Sequence, residues 1–333
     1  MPIATPGRRR IAVLGAGAWG TALAIQAARA GNAVGLWARD PARAAALAAA
    51  RENAAYLPGA ALSPAIEVTA DLATALDGAL VVLAVVPAQF LRPVLMALPA
   101  GAAPLIVCAK GVERGTLRLP LEVVEELLPD RPSAVLSGPN FAHEVAKGLP
   151  AAAVLASRDA TLRQVAGDLL GTAGFRIYGG DDPMGVQVGG AAKNVIAIAA
   201  GAVIGAGLGE NARAALVTRG LAELSRLTVA LGGRPETAAG LSGLGDLLLT
   251  TTGAGSRNTS LGHALGQGAS LAHALAGRIG VAEGVQTAPA IVARATAAGV
   301  ELPICAAVAD LLAGQLSVGD AMGRLLARPR RDE

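Results

Sequence analysis

Lysine is scarce in this chain, and that scarcity is the first clue to its chemistry. Of 28 basic residues only Lys110, Lys147 and Lys193 are lysine. Elsewhere the positive charge is guanidinium, so each lysine is biased toward a place that needs an ammonium, a group able to lose its proton when buried. Lys193 lies in the stretch Asp182-Pro183-Met184-Gly185-Val186-Gln187-Val188-Gly189-Gly190-Ala191-Ala192-Lys193-Asn194-Val195-Ile196-Ala197-Ile198. Asp182 followed by Pro183 reads as a helix N-cap with proline at the first helical position. On that helix Gly189 and Gly190 stand one turn before Lys193, and Ile196 and Ala197 one turn after. Two glycines inside a helix cost roughly 2 kcal/mol relative to alanine, which fits another body, backbone or ligand, coming close to this face. An ammonium walled by Val, Ala and Ile is desolvated, and desolvation lowers its pKa toward that of a working base. The alternative is a helix whose lysine simply reaches out to water.

Other residues suited to chemistry sit at glycine-rich joints. Lys110-Gly111 follows the apolar run Leu105-Ile106-Val107-Cys108-Ala109; ligands of open parallel sheets bind outside the carboxyl ends of strands, which marks Lys110 as a site residue rather than a lysine at a loop start. Gly240-Leu241-Ser242-Gly243-Leu244-Gly245-Asp246-Leu247 sets a carboxylate after a flexible loop, where Asp246 either caps the next helix or orients a lysine or substrate hydroxyl. Gly253-Ala254-Gly255-Ser256-Arg257-Asn258-Thr259 places hydroxyl, guanidinium and amide ahead of a helix. Helix-end amides plus a fork of arginine donors would hold a phosphate or carboxylate, although an ordinary capped helix start reads the same way.

These residues need a scaffold, and the apolar pattern supplies one. Arg10-Ile11-Ala12-Val13-Leu14 is a buried parallel strand, Gly15-Ala16-Gly17-Ala18-Trp19-Gly20 follows it, Thr21–Arg29 is helical, and Ala33–Trp37 is a second strand. In this strand–loop–helix frame the glycine pattern predicts dinucleotide binding. Gly15 permits the tight turn, Gly17 lets the backbone approach a pyrophosphate, and Gly20 allows close packing of helix on strand. At the end of the second strand Arg39 suits the 2′-phosphate of NADP(H), and Asp40 beside it keeps NAD(H) possible. Further strands at Leu80–Val85, Leu105–Ala109, Ala134–Ser137, around Val154 and at Phe175–Tyr178, alternating with helices such as 41–53 and 87–98, give a doubly wound sheet up to about Tyr178. Beyond Asp182 strand signals stop. Helical runs are expected near 183–206, 210–232, 259–275, 285–298 and 304–326. The expected organisation is thus a nucleotide-binding α/β domain, 1–181, followed by an all-helical domain, 182–333, with the active cleft at their junction.

Composition agrees. The 333 residues suit two domains, with 53% hydrophobic and 16% charged residues enough for large cores. Aromatics are only 2%, so Ala, Val, Leu and Gly must do the packing. The net charge of +3 has no dominant basic block; Arg8-Arg9-Arg10 and Arg328-Pro329-Arg330-Arg331 lack interleaved aromatics, and no nucleic-acid partner is expected. Cys108 and Cys305 are too few for a disulfide framework, and no metal-ligand spacing is present, so no metal is expected. His143, His263 and His273 have no partnered acid motif. The N-terminus lacks a signal-peptide pattern, and the charge-free run Asn194–Gly209 is too short and glycine-rich to span a bilayer. A cytoplasmic setting without membrane insertion is expected, and the alanine-rich helices allow a homo-oligomer.

The chain resembles the bacterial-type NAD(P)-dependent sn-glycerol-3-phosphate dehydrogenases, nearly over its full length. The resemblance is carried by Gly15-Ala16-Gly17-Ala18-Trp19-Gly20-Thr21-Ala22, Ala109-Lys110-Gly111, Leu136-Ser137-Gly138-Pro139, Gly190-Ala191-Ala192-Lys193-Asn194-Val195-Ile196-Ala197, Thr218-Arg219-Gly220-Leu221-Ala222-Glu223, Gly243-Leu244-Gly245-Asp246, Ser256-Arg257-Asn258 and Val281-Ala282-Glu283-Gly284. It implies a Rossmann-type domain followed by a helical domain similar to the C-terminal domain of 6-phosphogluconate dehydrogenase. It also implies reversible reduction of dihydroxyacetone phosphate to sn-glycerol 3-phosphate, which supplies glycerophospholipid synthesis. By motif position, the resemblance makes Lys193 the proton acceptor and gives Lys110, Gly138, Asn140, Asp246, Ser256, Arg257 and Asn258 to the substrate. It gives Ala18, Trp19, Arg39, Tyr56, Lys110, Ala142, Arg257, Val281 and Glu283 to the nucleotide. Asn140 stands where the family usually has Ser or Thr; its amide can still donate and accept. Two other readings compete: a two-domain dehydrogenase of a 3-hydroxy acid or keto acid, against which the Ser256-Arg257-Asn258 loop argues, and a sensor that binds NADP(H) without turnover.

Overall fold

Eight short runs pair into one sheet in the computed structural model, which describes residues 9–99, 101, 103–253, 255–276 and 282–329. They are β1 (Arg10–Leu14), β2 (Ala33–Trp37), β3 (Ile66–Thr69), β4 (Val81–Ala84), β5 (Leu105–Val107), β6 (Ser133–Ser137), β7 (Ala151–Ala156) and β8 (Phe175–Gly180). Their order is β3-β2-β1-β4-β5-β6-β7-β8. β1 to β6 are parallel; β7 pairs antiparallel to β6 and carries β8 parallel to itself. The doubly wound description therefore fits the first six strands, while the last two run the other way. β3 was not expected from the sequence: Ile66-Glu67-Val68-Thr69 is short and interrupted by charge, and pairing with β2 makes it a strand.

Helices cover both faces of the sheet, so strand residues are buried whichever way they point. Ile11, Val13, Leu36 and Leu83 pack on one side, and Ala12, Leu14, Val82 and Ala84 on the other. The chain leaves β1 toward β2 on one side and returns to β4 on the other. The crevice at that reversal, outside the carboxyl ends of β1 and β4, is where such sheets take ligands. Register places Leu14 beside both Trp37 and Ala84, so Gly15, Ala38 and Val85 converge there.

After β8 only helices follow among the described residues. The Pro183–Gly205 helix starts as expected: Asp182 accepts from Gly185 N at 2.9 Å with Pro183 in the first turn. It is long and apolar enough to cross a membrane, with mean hydropathy 1.6, but 89% of that window is buried inside the protein. It is the central element of the helical core, where Val195, Ile196, Ile198 and Ala200 are 0% exposed. Helix Gly209–Ala230 and helix Arg257–Gly266 pack against it. Glycines let the second of these contacts approach backbone to backbone: a Cβ on Gly201 would lie 2.0 Å from Thr259 O, and one on Gly262 1.9 Å from Ile198 O. Two expected helices divide. The 259–275 run becomes Arg257–Gly266 and Leu271–Leu275, and the 304–326 run becomes Pro303–Leu312 and Val318–Leu326. Ser270 and Ser317 make the new starts by accepting from His273 N and Asp320 N, capping that the alanine-rich pattern hid.

Candidate active site

Four elements meet at the junction of sheet and helices. Lys110 comes from the carboxyl end of β5, Lys193 and Asn194 from the middle of the Pro183–Gly205 helix, Asp246 from the start of helix Asp246–Thr252, and Arg257 and Asn258 from the start of helix Arg257–Gly266. They border a cleft of about 500 Å³ that also touches Asn140, Ala142, Thr250, Ser256 and Glu283. The charged centre is a carboxylate shared by two lysines. Asp246 is 1% exposed; its Oδ2 accepts from Lys110 Nζ at 2.6 Å and its Oδ1 from Lys193 Nζ at 2.9 Å. Lys193 Nζ also donates to Thr250 Oγ1 at 2.8 Å, while Thr250 Oγ1 donates to Asp246 O at 2.6 Å. Lys110 Nζ further donates to Gly138 O at 3.2 Å.

Lys193 is not a snorkelling lysine. It is 8% exposed, and burial, reinforced by the Lys110 charge, pushes its pKa below the ordinary 10.5 while Asp246 pulls the other way. For Asp246 burial opposes the charged form, yet the Lys110 and Lys193 ammoniums outweigh it and hold the carboxyl below its ordinary range. A lysine with a lowered pKa, oriented by a carboxylate that stays charged, gives up and takes back a proton more readily than an exposed one. Behind it Asn194 Oδ1 accepts from Asn258 Nδ2 at 2.9 Å, and Asn258 Oδ1 accepts from Gly284 N at 3.2 Å, tying the lysine helix to the two helices that complete the cleft.

Of the bodies that the paired glycines could admit, backbone or ligand, it is protein atoms that stand against them. A Cβ on Gly189 would lie 2.6 Å from Ser242 O, in the π-helical turn Leu241–Gly245, and one on Gly190 would lie 3.2 Å from Ser137 Oγ and 3.3 Å from Lys110 Cγ. The bodies that come close are the protein's own: Gly189 lets the turn leading to Asp246 close on the helix, and Gly190 lets Lys110 lie across it. Asp246 is not a cap either. It is the first residue of its helix, after Gly245 at the N-cap, and its carboxylate is taken up by the two lysines.

A second hollow, about 310 Å³, is bordered by the glycine loop predicted to bind a dinucleotide and lined by Gly15, Gly17, Gly20, Arg39, Arg43 and Glu283 among others. It shares Ala18, Trp19, Tyr56, Cys108, Arg257 and Glu283 with the charged cleft, so the two are continuous. Gly15 has φ +113°, and a Cβ there would lie 2.4 Å from Val85 O. Gly17 has nothing within 4 Å on its Cβ side, whereas a Cβ on Gly20 would lie 1.8 Å from Gly15 O and 3.5 Å from Val85 Cβ. Gly20 thus packs mainly on the glycine turn itself and only secondarily on the strand side. A loop open at Gly17, ahead of the helix Ala18–Arg29, fits a diphosphate. Glu283 opens the helix Glu283–Ala297; burial raises its pKa, and its carboxylate is met by Ala88 N–H from the sheet side. Asn140 Nδ2 donates to Ala152 O at 2.9 Å, leaving its buried Oδ1 without a partner. Ser256 Oγ caps its helix by accepting from Thr259 N at 3.1 Å. Val281 lies outside the described residues.

Sequence reading missed several residues here. Thr250 could have been found, since a hydroxyl four residues after Asp246 shares its helix face. Arg43 and Asn53, which hold the glycine loop, carry no local signal. His143 reaches the cleft wall despite the expectation that no histidine is well placed. Its Nε2 is 3.9 Å from Glu144 Oε1 and both side chains are about half exposed, at 53% and 42%, so the pair is not a buried acid–base dyad. Among the described residues no group of three or more His, Cys, Asp or Glu side chains could hold a metal.

A nucleotide-binding sheet joined to a helical domain, with a buried lysine–carboxylate centre at the junction, defines the chain as an NAD(P)-dependent dehydrogenase. More narrowly, it belongs to the NAD-dependent glycerol-3-phosphate dehydrogenase family: the family models for the N-terminus and C-terminus match residues 10–163 and 182–323. A glycerol-3-phosphate dehydrogenase of the NAD(P)+ type from Rhodospirillum rubrum is 55% identical, over 97% of this chain and 93% of that protein. One from Caulobacter vibrioides is 54% identical, over 97% and 98%. The crystal structure of glycerol-3-phosphate dehydrogenase from Coxiella burnetii superposes with TM-score 0.93 at 39% identity, covering 97% of this chain and all of that one, 100%.

Proposed function

We propose that this chain catalyses the reversible reduction of dihydroxyacetone phosphate to sn-glycerol 3-phosphate with a nicotinamide dinucleotide, in the cytoplasm, as a supply of glycerophospholipid backbone. It would work as two domains, 1–181 and 182–333, closing on the reactants between them. The observation that carries this function is the Asp246 carboxylate held at 2.6 and 2.9 Å by Lys110 and Lys193 beside Arg257. The nicotinamide cofactor, when bound, supplies the hydride. Lys193 Nζ gives its proton to the carbonyl oxygen as that oxygen becomes a hydroxyl, and in the other direction takes the hydroxyl proton back. Asp246 and Thr250 fix the direction of Nζ, and Lys110 brings a second ammonium to the anionic substrate. Arg257, with the amides at the start of its helix, holds the phosphate, and Gly138, Asn140, Ser256 and Asn258 complete the substrate's surroundings.

The dinucleotide would lie along Gly15, Gly17, Ala18, Trp19 and Gly20, with Tyr56, Ala142 and Glu283 as further contacts. NADP(H) is favoured over NAD(H). Arg39 is exposed at the end of β2, its guanidinium 5.8 Å from the Phe90 ring centroid. Asp40, the group that would receive ribose hydroxyls, is already engaged as a helix cap by Arg43 N at 3.0 Å. The test is NADPH oxidation followed with dihydroxyacetone phosphate, unphosphorylated dihydroxyacetone and a keto acid. Turnover is expected only with the phosphorylated ketone; equal rates without the phosphate would overturn the assignment.

A further inference from the structure

Asn53 is 4% exposed in the turn after the Pro41–Ala50 helix, and its Nδ2 donates twice. One hydrogen goes to Ala16 O at 2.9 Å and the other to Thr21 Oγ1 at 2.7 Å. Thr21 is 0% exposed and donates its own hydroxyl hydrogen to Gly17 O at 2.8 Å. The Thr21 oxygen is therefore an acceptor toward Asn53, which settles that the amide nitrogen, not the oxygen, faces the glycine loop. A second donor, the Arg43 guanidinium, also reaches Ala16 O and lies 4.2 Å from the Tyr56 ring centroid. Tyr56 N in turn donates to Asn53 O at 3.1 Å. One buried amide thus links the glycine loop, the first helix and the Tyr56 turn.

The consequence follows from peptide geometry. In a planar trans peptide the carbonyl and the next residue's N–H point in opposite directions. With the Ala16 and Gly17 carbonyls held toward Asn53, Arg43 and Thr21, the amide hydrogens of Gly17 and Ala18 are aimed the other way. Ala18 is the first residue of its helix, so its N–H has no partner within that helix. Gly17 is also where the loop is open, with nothing within 4 Å on its Cβ side.

Given the dinucleotide-binding function proposed above, we propose that Asn53, acting through Thr21 and alongside Arg43, is the positioning residue that aims the Gly17 and Ala18 amides at the cofactor's diphosphate. Its chemistry is that of a diphosphate clamp held from behind. It sets nucleotide affinity without entering proton transfer and without discriminating NADP(H) from NAD(H), which falls to Arg39.

The test uses the full chain and its Asn53→Ala and Thr21→Val variants, with folding checked by circular dichroism. Dissociation constants are measured for NADPH, NADH, ADP-ribose (a diphosphate without nicotinamide) and reduced nicotinamide mononucleotide (which lacks the diphosphate). Asn53→Ala should weaken NADPH, NADH and ADP-ribose alike by ~10-fold or more, the scale of losing a buried charge-directing hydrogen bond. Mononucleotide binding, kcat at saturating NADPH and KM for dihydroxyacetone phosphate should stay within about twofold, a split that a merely destabilised fold would not produce. Thr21→Val keeps volume and removes both the bridge to Gly17 O and the acceptor for one Asn53 hydrogen, while Asn53 keeps its bond to Ala16 O; it should show the same pattern more weakly, and it carries the test if Asn53→Ala does not fold. Unchanged dinucleotide affinity, a loss confined to NADPH, or a fall in kcat at unchanged affinity would overturn the assignment of Asn53 alone. A wild-type chain that binds none of the diphosphate ligands would remove the parent function as well.

Discussion

Replacing Asp246 by Asn tests the centre of the site, because the change keeps shape, removes the charge and turns one of the two accepting oxygens into an amide donor facing an ammonium. Asp246 is 1% exposed and bridges two ammoniums at 2.6 and 2.9 Å. Removing one partner of a buried ion pair costs about 3–5 kcal/mol, since the charge left behind stays desolvated. At about 2–4 °C per kcal/mol for domains of 150–250 residues, the melting temperature should fall by about 6–20 °C. The loss must depend on pH with a definite sign. Lys193 has a folded pKa below its ordinary 10.5, so between the two values the native state binds fewer protons than the unfolded chain and stability rises with pH. Without Asp246 the Lys193 pKa falls further and that window widens downward. At the acid end Asp246, held below its ordinary 3.8, contributes stability that is full above that value and lost as pH falls through the folded pKa. The stability gap between wild type and Asp246→Asn should therefore open as pH rises through the acid range. It should close again between the Lys193 pKa of the variant and that of the wild type, both below 10.5, where only the wild-type lysine still holds its proton. In kinetics the acid limb of glycerol 3-phosphate oxidation, which needs neutral Lys193, should move to lower pH. Reduction at neutral pH should slow by ~10²-fold or more, because a lower pKa leaves less of Lys193 protonated and its ammonium is no longer oriented. The assays are thermal unfolding from about pH 2 to pH 10, which spans the range below the ordinary Asp246 value, and pH–rate profiles in both directions. A melting temperature within 2 °C of wild type together with an unmoved acid limb would refute the reasoning.

Three further changes probe the rest of the cleft. Lys193→Met should lower kcat by ~10²–10⁴-fold while NADPH affinity, measured by fluorescence titration, stays nearly unchanged; near-normal turnover in a folded variant would remove Lys193 as the acid–base group. Gly189→Ala puts a Cβ 2.6 Å from Ser242 O, so helix and turn must separate. It should cost about 1–3 kcal/mol in denaturant unfolding and lower kcat more than it raises the nucleotide KM. Arg39→Ala should raise KM for NADPH by ~10-fold through loss of a charge-assisted contact and leave KM for NADH within about twofold in steady-state assays.

Much of the site was legible because its signals are local. The glycine loop announces itself through a strand before and a helix after, and Gly15 indeed takes φ +113°. Asp182-Pro183 announces a helix start, and the rarity of lysine drew attention to Lys110 and Lys193. Helix starts at Ser270 and Ser317 were harder to see, since alanine-rich runs keep the same apolar pattern on both sides of a break. β3 was missed because four residues with a charge among them become a strand only by pairing with β2.

What the sequence by itself determined is the inventory and the local frame. It specified which strand ends carry a lysine or a glycine loop, where the strands give way to helices, and that Lys193 was the candidate acid–base group, with Lys110 a site residue and Asp246 a cap or an orienting carboxylate. Only the tertiary structure decided how they meet. Lys110, Lys193 and Asp246 are separated by 83 and 53 residues of chain, and no periodicity relates residues so far apart. Their convergence depends on close approach of whole elements, which Gly189 and Gly190 permit by admitting a backbone turn and the stem of Lys110. The same holds for Asn53, whose two hydrogen bonds cross 37 and 32 residues to the glycine loop. A side chain's chemical type is written in the sequence, but its pKa and its aim depend on burial and on neighbours brought by the fold. For Lys193 that means a desolvated ammonium held in place by a carboxylate it shares with Lys110.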